Sequence, residues 1–490
     1  MMLYLPRILT SLLYISLASA QSSDQCKINS LETSYEAPVA ADGWSYRLVA
    51  TELSRPRGIL FDTEGALIVV DTGVGLVHLE FEDQGSTCLR VRKKTVLLEN
   101  EDLNHGIAIS KDGRTLYAST DDEVYSWSYD PSTVRLNSSS ERTLVTNMTN
   151  SGHTSRTLLL SDKHPGILVV SRGSQGNDDV EAEDRSTGHS QLRAFNVSAL
   201  DERSRPLGER FRPYDYLDGD LLGWGLRNSV GVAEHPETGG VYSVENSVDN
   251  LRRRGRDIHR DNPAEELNFH GFLNGSSEDQ GGNYGYPVCY TIWSTENFPS
   301  LGDLETGDQF PADRTRGRSA PSDEECNTEY VPPVLAFQAH TAPLDIKFDG
   351  NGTKAYISFH GSWNRDEPVG YEISTVAFKD GRPTSPSNST NATTTIISNP
   401  DLSNCPSDCF RPVGLAWDSE GRLWFSSDST GEIFVLAQDS SENNDGNNDD
   451  DNGGESGGDD DDSAASQFMR PSSWTVVVTL VAIIMGFFLA

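Results

Sequence analysis

A six-bladed β-propeller, an all-β fold, is what this chain of 490 residues predicts, on three observations. A strand–turn–strand phrase recurs six times, its copies stand a blade's length apart, and helical periodicity is weak outside the two termini. Radially arranged sheets around a channel satisfy all three.

The copies are GILFDTEGALIVV from Gly58, GIAISKDGRTLYAS from Gly106, TLLLSDKHPGILVV from Thr157, GVAEHPETGGVYSV from Gly231, DIKFDGNGTKAYIS from Asp345 and GLAWDSEGRLWFS from Gly414. Each joins two short apolar strands through turn chemistry such as Asp62–Gly65, Lys111–Gly113, Asp349–Gly352 and Asp418–Gly421. The segment Tyr46–Leu53 precedes the first copy; it is expected to pair as the outer strand of the last blade, closing the ring and covering its edges. The spacing widens between the fourth and fifth copies, so residues 250–335 read as inserted loop, ordered by a suspected disulfide and close to the pocket. One folded domain, residues 21–438, results.

The ends carry addresses rather than fold. Residues 1–20 read as a secretory signal peptide: Arg7, an apolar run to Leu17, and the small residues Ala18, Ser19 and Ala20. Residues 439–462 hold eleven acidic residues and no Lys or Arg, too polar to bury a core, and the expectation over 439–463 is a disordered stalk. Ser463, Ala464 and Ala465, a polar spacer and the apolar tail Trp474–Ala490 read as a glycosylphosphatidylinositol attachment signal over 464–490, removed on lipid attachment. A single C-terminal membrane helix is the alternative for that tail. The formal net charge of −35 lacks the basic footprint that nucleic-acid binding needs.

In a secreted chain an even cysteine count implies disulfides. Fifteen pairings are open to Cys26, Cys88, Cys289, Cys326, Cys405 and Cys409; proximity along the repeat plan points to Cys26–Cys88, Cys289–Cys326 and Cys405–Cys409. Seven sequons (Asn137, Asn147, Asn196, Asn274, Asn351, Asn388 and Asn391) fit a glycosylated surface.

The innermost strand of every blade begins at the same mouth of the channel. Just before those strands stand Arg57, Asn104 with His105, His153, Arg227 with Asn228, His340 and Arg411. Any one arginine is well explained as the partner of a nearby Asp or carbonyl. Three at equivalent repeat positions point to a positive cavity for carboxylates or phosphates. A histidine among such cations should be held neutral at pH 7, as a general base must be, and His153 is the candidate; His105 and His340 are assigned to ligand contact. The stretch Glu245–Asn250, followed by Asp261–Asn268, is dense in the hard oxygen donors that suit Ca²⁺, without EF-hand spacing. After the fifth copy come Trp363, placed either to cap a ligand or to pack, then Asn364 and Arg365.

Taken together, LRN at Leu226–Asn228, the loop from Glu245, NYGYP at Asn283–Pro287, HTAPLD from His340, HGSWNR from His360 and FRPVGLAW from Phe410 resemble the sorbosone and soluble glucose dehydrogenase superfamily. Within it the likeness is to secreted fungal pyranose dehydrogenases that use pyrroloquinoline quinone, over residues 45–438. The resemblance implies a quinone lying flat at the channel mouth beside Ca²⁺. It implies cofactor contacts from Arg57, Arg227, Asn228, His340, Arg365 and Arg411, substrate contacts from Asn104 and His105, and metal ligands around Asn246, Ser247 and Asp249. His153 aligns with the base that removes the proton of the sugar's anomeric hydroxyl; hydride passes from that carbon to the quinone, and Arg227 steadies the developing oxyanion. Electrons would leave to an external acceptor: a cytochrome, a quinone or a metalloenzyme.

Two departures stand out. Glucose-oxidising relatives have an acidic residue before the base, where this chain has Gly152, and the basic insert LRRRGRDIHR follows Asp249. A Ca²⁺-dependent lactonase-type propeller and a non-catalytic propeller binding carbohydrate or protein are the other functions this pattern allows.

Overall fold

The computed structural model describes residues 26–199, 212–277, 280–313 and 321–439. The expected signal peptide, the acidic stretch from residue 440 and the C-terminal tail lie outside the described residues. Six sheets follow one another as blades, antiparallel except for a short parallel edge strand on the second and third. Their innermost strands are Pro56–Phe61, Ile107–Ile109, Leu158–Leu160, Ser229–Glu234, Pro343–Phe348 and Pro412–Trp417, each belonging to one copy of the repeated phrase.

Closure is as expected. Trp44–Ala50 pairs antiparallel with Glu432–Gln438, from Trp44 opposite Gln438 to Ala50 opposite Ile433, so the first long strand completes the last blade. Val39–Ala40 similarly edges the fifth blade through Thr393–Ser398. All three expected disulfides are present, and all seven sequon asparagines are exposed.

The core lies between blades. Leu67, Val69 and Val77 of the first blade pack with Trp424, Ile433 and Val435 of the last; Tyr242 and Leu267 of the fourth pack with Phe348, Ile357 and Phe378 of the fifth. Residues on alternate faces of each strand thus serve two different interfaces, which is why these strands read as continuous apolar runs.

Four copies of the phrase begin with glycine, and the ring explains it. A Cβ on Gly58 would overlap the His105 carbonyl, on Gly106 the Arg156 carbonyl and on Gly414 the Arg57 carbonyl; on Gly231 it would press on the Asp345 backbone. The two remaining copies use side chains instead: Thr157 Oγ1 donates to the Val230 carbonyl, and Asp345 Oδ2 accepts the Leu415 amide at 2.8 Å. Adjacent inner strands are therefore in close contact all around the channel, backbone to backbone at the glycines and through a side chain at Thr157 and Asp345. Gly414→Ala is expected to lose about 1–3 kcal/mol of stability, the usual cost of forced overpacking, measurable by chemical denaturation.

The region between the fourth and fifth copies corrects one expectation. Within residues 250–335, Glu265–Phe272 is the third strand of the fourth blade, Leu335–Phe337 is its outer strand, and Gly282–Asn283 edges the third blade. Two consecutive glutamates disguised the strand. Glu265 and Glu266 are both buried, each satisfied by specific hydrogen bonds, so the apolar signal of a core strand is missing. The rest of the insertion carries two small hairpins and the helix Asp323–Glu329, capped by Ser322 and packed under its own apolar cluster around Tyr286, Tyr290 and Phe310.

Candidate functional site

The residues preceding the inner strands meet at one mouth, in two linked groups. In the first, Arg57 Nη1 donates to Asp428 Oδ2 at 2.7 Å, and His360 Nε2 lies 2.8 Å from the other oxygen of the same carboxylate. Arg411 donates to the carbonyls of His360 (3.1 Å) and Gly361 (2.9 Å). Burial would raise Asp428, but His360 and Arg57 hold its carboxyl well below the usual range. One guanidinium and one imidazole thus share the carboxylate, Arg411 is tied to the same group through the His360 carbonyl, and burial keeps His360 below its ordinary pKa. Of five N–H donors each, Arg57 spends one and Arg411 two on the protein, leaving both free to grip an anion.

The second group centres on Arg227, which is buried. Its Nε and Nη2 donate to the carbonyl and side-chain oxygens of Asn177 (3.2 and 2.9 Å), and Nη1 to the Asn246 carbonyl at 3.1 Å; Asp249 lies at 3.4 Å. Arg227 therefore has a single donor to spare. Asn364 Nδ2 holds the other oxygen of Asp249 at 2.8 Å, and His340 Nδ1 stands 3.7 Å from it. Both His340 and Ala342 have positive φ (68° and 53°), an unfavourable conformation kept only because the surroundings fix it: His340 bonds the His259 carbonyl, and Ala342 donates to Glu265.

His153 is half-buried beside Arg227. Burial, together with that guanidinium, lowers its pKa to about 3, so the imidazole is neutral as a base requires. His105 is fully enclosed and likewise held neutral, by burial and then by Arg57. Asn104 donates to the Thr154 carbonyl at 3.0 Å, joining it to the segment that carries His153. Asn228 is pinned through its amide to Glu245 (2.8 Å).

Not every expected residue takes its expected place. Arg365 does not join the other arginines: it donates to the carbonyls of Arg260 and Glu367 and faces Asp261 at 3.6 Å. Trp363 is exposed (66%) and does not pack into the core. The Asp249 carboxylate is engaged by Arg227 and Asn364, and the Asn246 carbonyl by Arg227, which leaves Ser247 the least committed of the expected metal ligands.

Other residues were not singled out from sequence. Asn177 joins Arg227 to the loop of Asp249, because its side chain also bonds Asp249 at amide (2.8 Å) and carbonyl (2.9 Å). Glu265 braces two loops by accepting the amides of Ser247 (2.6 Å) and Ala342 (3.3 Å). Burial pushes its pKa up to about 7 despite those bonds. Glu265→Gln, which gives up one of two acceptors, is expected to cost about 1–3 kcal/mol, visible as a lowered Tm. The group Asp179, Glu181 and His189 lies close enough to share an ion. His189 Nδ1 is 2.9 Å from Asp179, which also accepts the Gln175 amide at 2.8 Å and so braces the loop that carries Ser174 and Asn177.

A cavity of about 850 Å³ lies at the opposite end of the channel, lined by Leu60, Ile109, Leu160, Phe348 and Trp417 together with Asp162, Glu234 and Lys347. It holds none of the candidate groups, so chemistry rather than volume picks out the mouth. There, Asn104 Oδ1, His105 Nδ1 and Asn364 Oδ1 are buried without a protein partner. Buried polar atoms in that condition, beside two arginines with donors to spare, suit a planar, multiply charged ligand with oxygen and nitrogen edges.

Fold and site together define a β-propeller with a cationic, imidazole-bearing mouth. A family described as TrAA12-like matches residues 38–439, and the chain belongs to that family. A pyrroloquinoline quinone-dependent sugar dehydrogenase of Hypocrea jecorina is 52% identical over 438 residues, covering 89% of this chain and 98% of that protein. A pyrroloquinoline quinone-dependent pyranose dehydrogenase of Coprinopsis cinerea is 37% identical over 82% of this chain and 54% of its own length, so the chain spans about half of that relative. Among solved structures, a calcium structure of a Trichoderma reesei Carbohydrate-Active Enzymes Family AA12 protein superposes with TM-score 0.80 at 55% identity, covering 84% of this chain and 99% of that one. The holo form of the quinone domain of the Coprinopsis enzyme gives 0.75 at 35% identity, covering 83% and 98%.

Proposed function

We propose that the chain is a quinoprotein oxidoreductase that oxidises a pyranose or keto-aldose at its anomeric carbon. The observation that carries the reading is the linkage of Arg57 and Arg411 through Asp428 and His360, with Arg227 and a neutral His153 in the neighbouring group. When bound, pyrroloquinoline quinone supplies the two-electron acceptor and a Ca²⁺ ion the Lewis acid. Arg57 and Arg411, with donors to spare, would hold its carboxylates. Ser247, flanked by Asn246 and Asp249 on the loop fixed by Glu265 and Asn177, brings oxygen donors to the ion. Asn104 and His105 orient the sugar hydroxyls. His153 takes the proton of the anomeric hydroxyl, and the remaining donor of Arg227 is available to the negative charge that grows on that oxygen.

The test is reconstitution of the purified protein with the quinone and Ca²⁺, followed by dye reduction across a panel of sugars. Turnover that needs both additions is the expected result; hydrolysis of a lactone without quinone, and no dye reduction by any sugar, would overturn the reading. The setting we infer is the cell surface, with the protein secreted, glycosylated and lipid-tethered, and electrons passed to an external cytochrome, quinone or metalloenzyme. Three disulfides fit an oxidising compartment. Release from intact cells by a phosphatidylinositol-specific phospholipase is expected; retention would contradict the tether.

A further inference from the structure

We propose that Ser174 is the positioning residue of His153: its hydroxyl, committed as a donor to a backbone carbonyl, accepts the Nδ1 proton and leaves the Nε2 lone pair for substrate. The proposal rests on His153 being the base. Ser174 Oγ lies 2.7 Å from the Gly176 carbonyl, which can only accept, so the single hydroxyl proton points there. The same oxygen lies 2.8 Å from His153 Nδ1, and only its lone pairs remain to meet that nitrogen; the Ser174 carbonyl, at a longer 3.2 Å, is a second and weaker acceptor for the same hydrogen. Nδ1 must therefore carry the hydrogen, which fixes the neutral tautomer with a bare Nε2.

The surrounding backbone holds this geometry from several sides. The His153 amide donates to the Ser174 carbonyl at 3.1 Å, and the Ser174 amide to the Arg227 carbonyl at 2.8 Å. Asn150 Nδ2 donates to the Gly173 carbonyl at 2.6 Å. A Cβ on Gly173 would meet His153 Cβ at 2.7 Å and Asn228 Oδ1 at 2.6 Å, so the residue before Ser174 has to be this small for the loop to reach the imidazole.

A serine differs from a carboxylate in one respect that matters here: it orients the ring without offering a counter-charge to the imidazolium. The charged groups facing His153 are Arg227 and Arg156, which oppose its protonation, and Asp179, which favours it. Asp179 is already engaged by His189 and the Gln175 amide. The base therefore remains unprotonated well into the acid range, and the acid limb of kcat/KM should lie below pH 5.

Nitrogen-15 spectra of the apo-protein report the His153 tautomer with no cofactor present, and three variants complete the test. In Ser174→Ala the Nδ1–H signature should give way to a mixture, kcat of the reconstituted enzyme should fall about 10- to 100-fold, and KM and quinone affinity should hold within twofold. Ser174→Thr, which keeps the hydroxyl, should restore both signature and rate. Ser174→Asp should raise the His153 pKa by at least one unit and carry the acid limb of kcat/KM upward with it. A Ser174→Ala protein with native tautomer and native rate would overturn the proposal. A tautomer that shifts while kcat stays native would leave the positioning in place and overturn His153 as the base.

Discussion

His153→Ala is expected to lower kcat by about two to four orders of magnitude, the usual share of a general base, while quinone affinity changes less than twofold. The separation follows from geometry. His153 is held by the loop of Ser174 beside Arg227, which has one donor left, whereas most of the free guanidinium donors belong to Arg57 and Arg411 in the other group. Rapid-mixing measurement of the reductive half-reaction, set beside a quinone binding titration, checks both halves. A variant that oxidises sugar at the native rate would show that another group takes the proton, and His105, also neutral and buried at the mouth, would be the next to replace.

Arg411→Ala should have the opposite profile, with quinone binding weakened about 10- to 100-fold, the value of a charge-assisted hydrogen bond, and the chemical step of the fully loaded enzyme little changed. Arg411 stacks 5.5 Å over Tyr371 and holds two carbonyls of the turn after the fifth blade's second strand, so its removal also loosens that turn. Arg411→Lys separates the contributions: it keeps the charge but not the planar fork, and should recover part of the affinity. Raising ionic strength should weaken wild-type binding more than that of Arg411→Ala, because less charge is left to screen.

Much of this was legible in the primary structure for a simple reason. A repeated phrase places equivalent residues at equivalent points of a ring, so Arg57, His153, Arg227 and Arg411 could be assigned to one mouth without knowing a single distance. The ring-closing strand and all three disulfides followed from the same plan. What escaped notice lies outside the phrase. Ser174 and Asn177 sit on the turn after a second strand, where polar residues are unremarkable, and only the fold brings that turn against His153 and Asp249. Glu265 hid a strand because charge is a poor sign of burial, although its two amide hydrogen bonds explain why it is tolerated there. Arg365 lies close in sequence to the same motif, but its bonds to the Arg260 and Glu367 carbonyls and its approach to Asp261 depend on the fold and were not legible in the chain order.

Direct titration of the purified protein with pyrroloquinoline quinone, with and without Ca²⁺, tests the anion-binding mouth without reference to any substrate. One quinone should bind per chain, more tightly with Ca²⁺, and binding should collapse when Arg57 and Arg411 are both replaced by alanine. A double variant that binds with native affinity and stoichiometry would contradict the assignment of this mouth as the cofactor site.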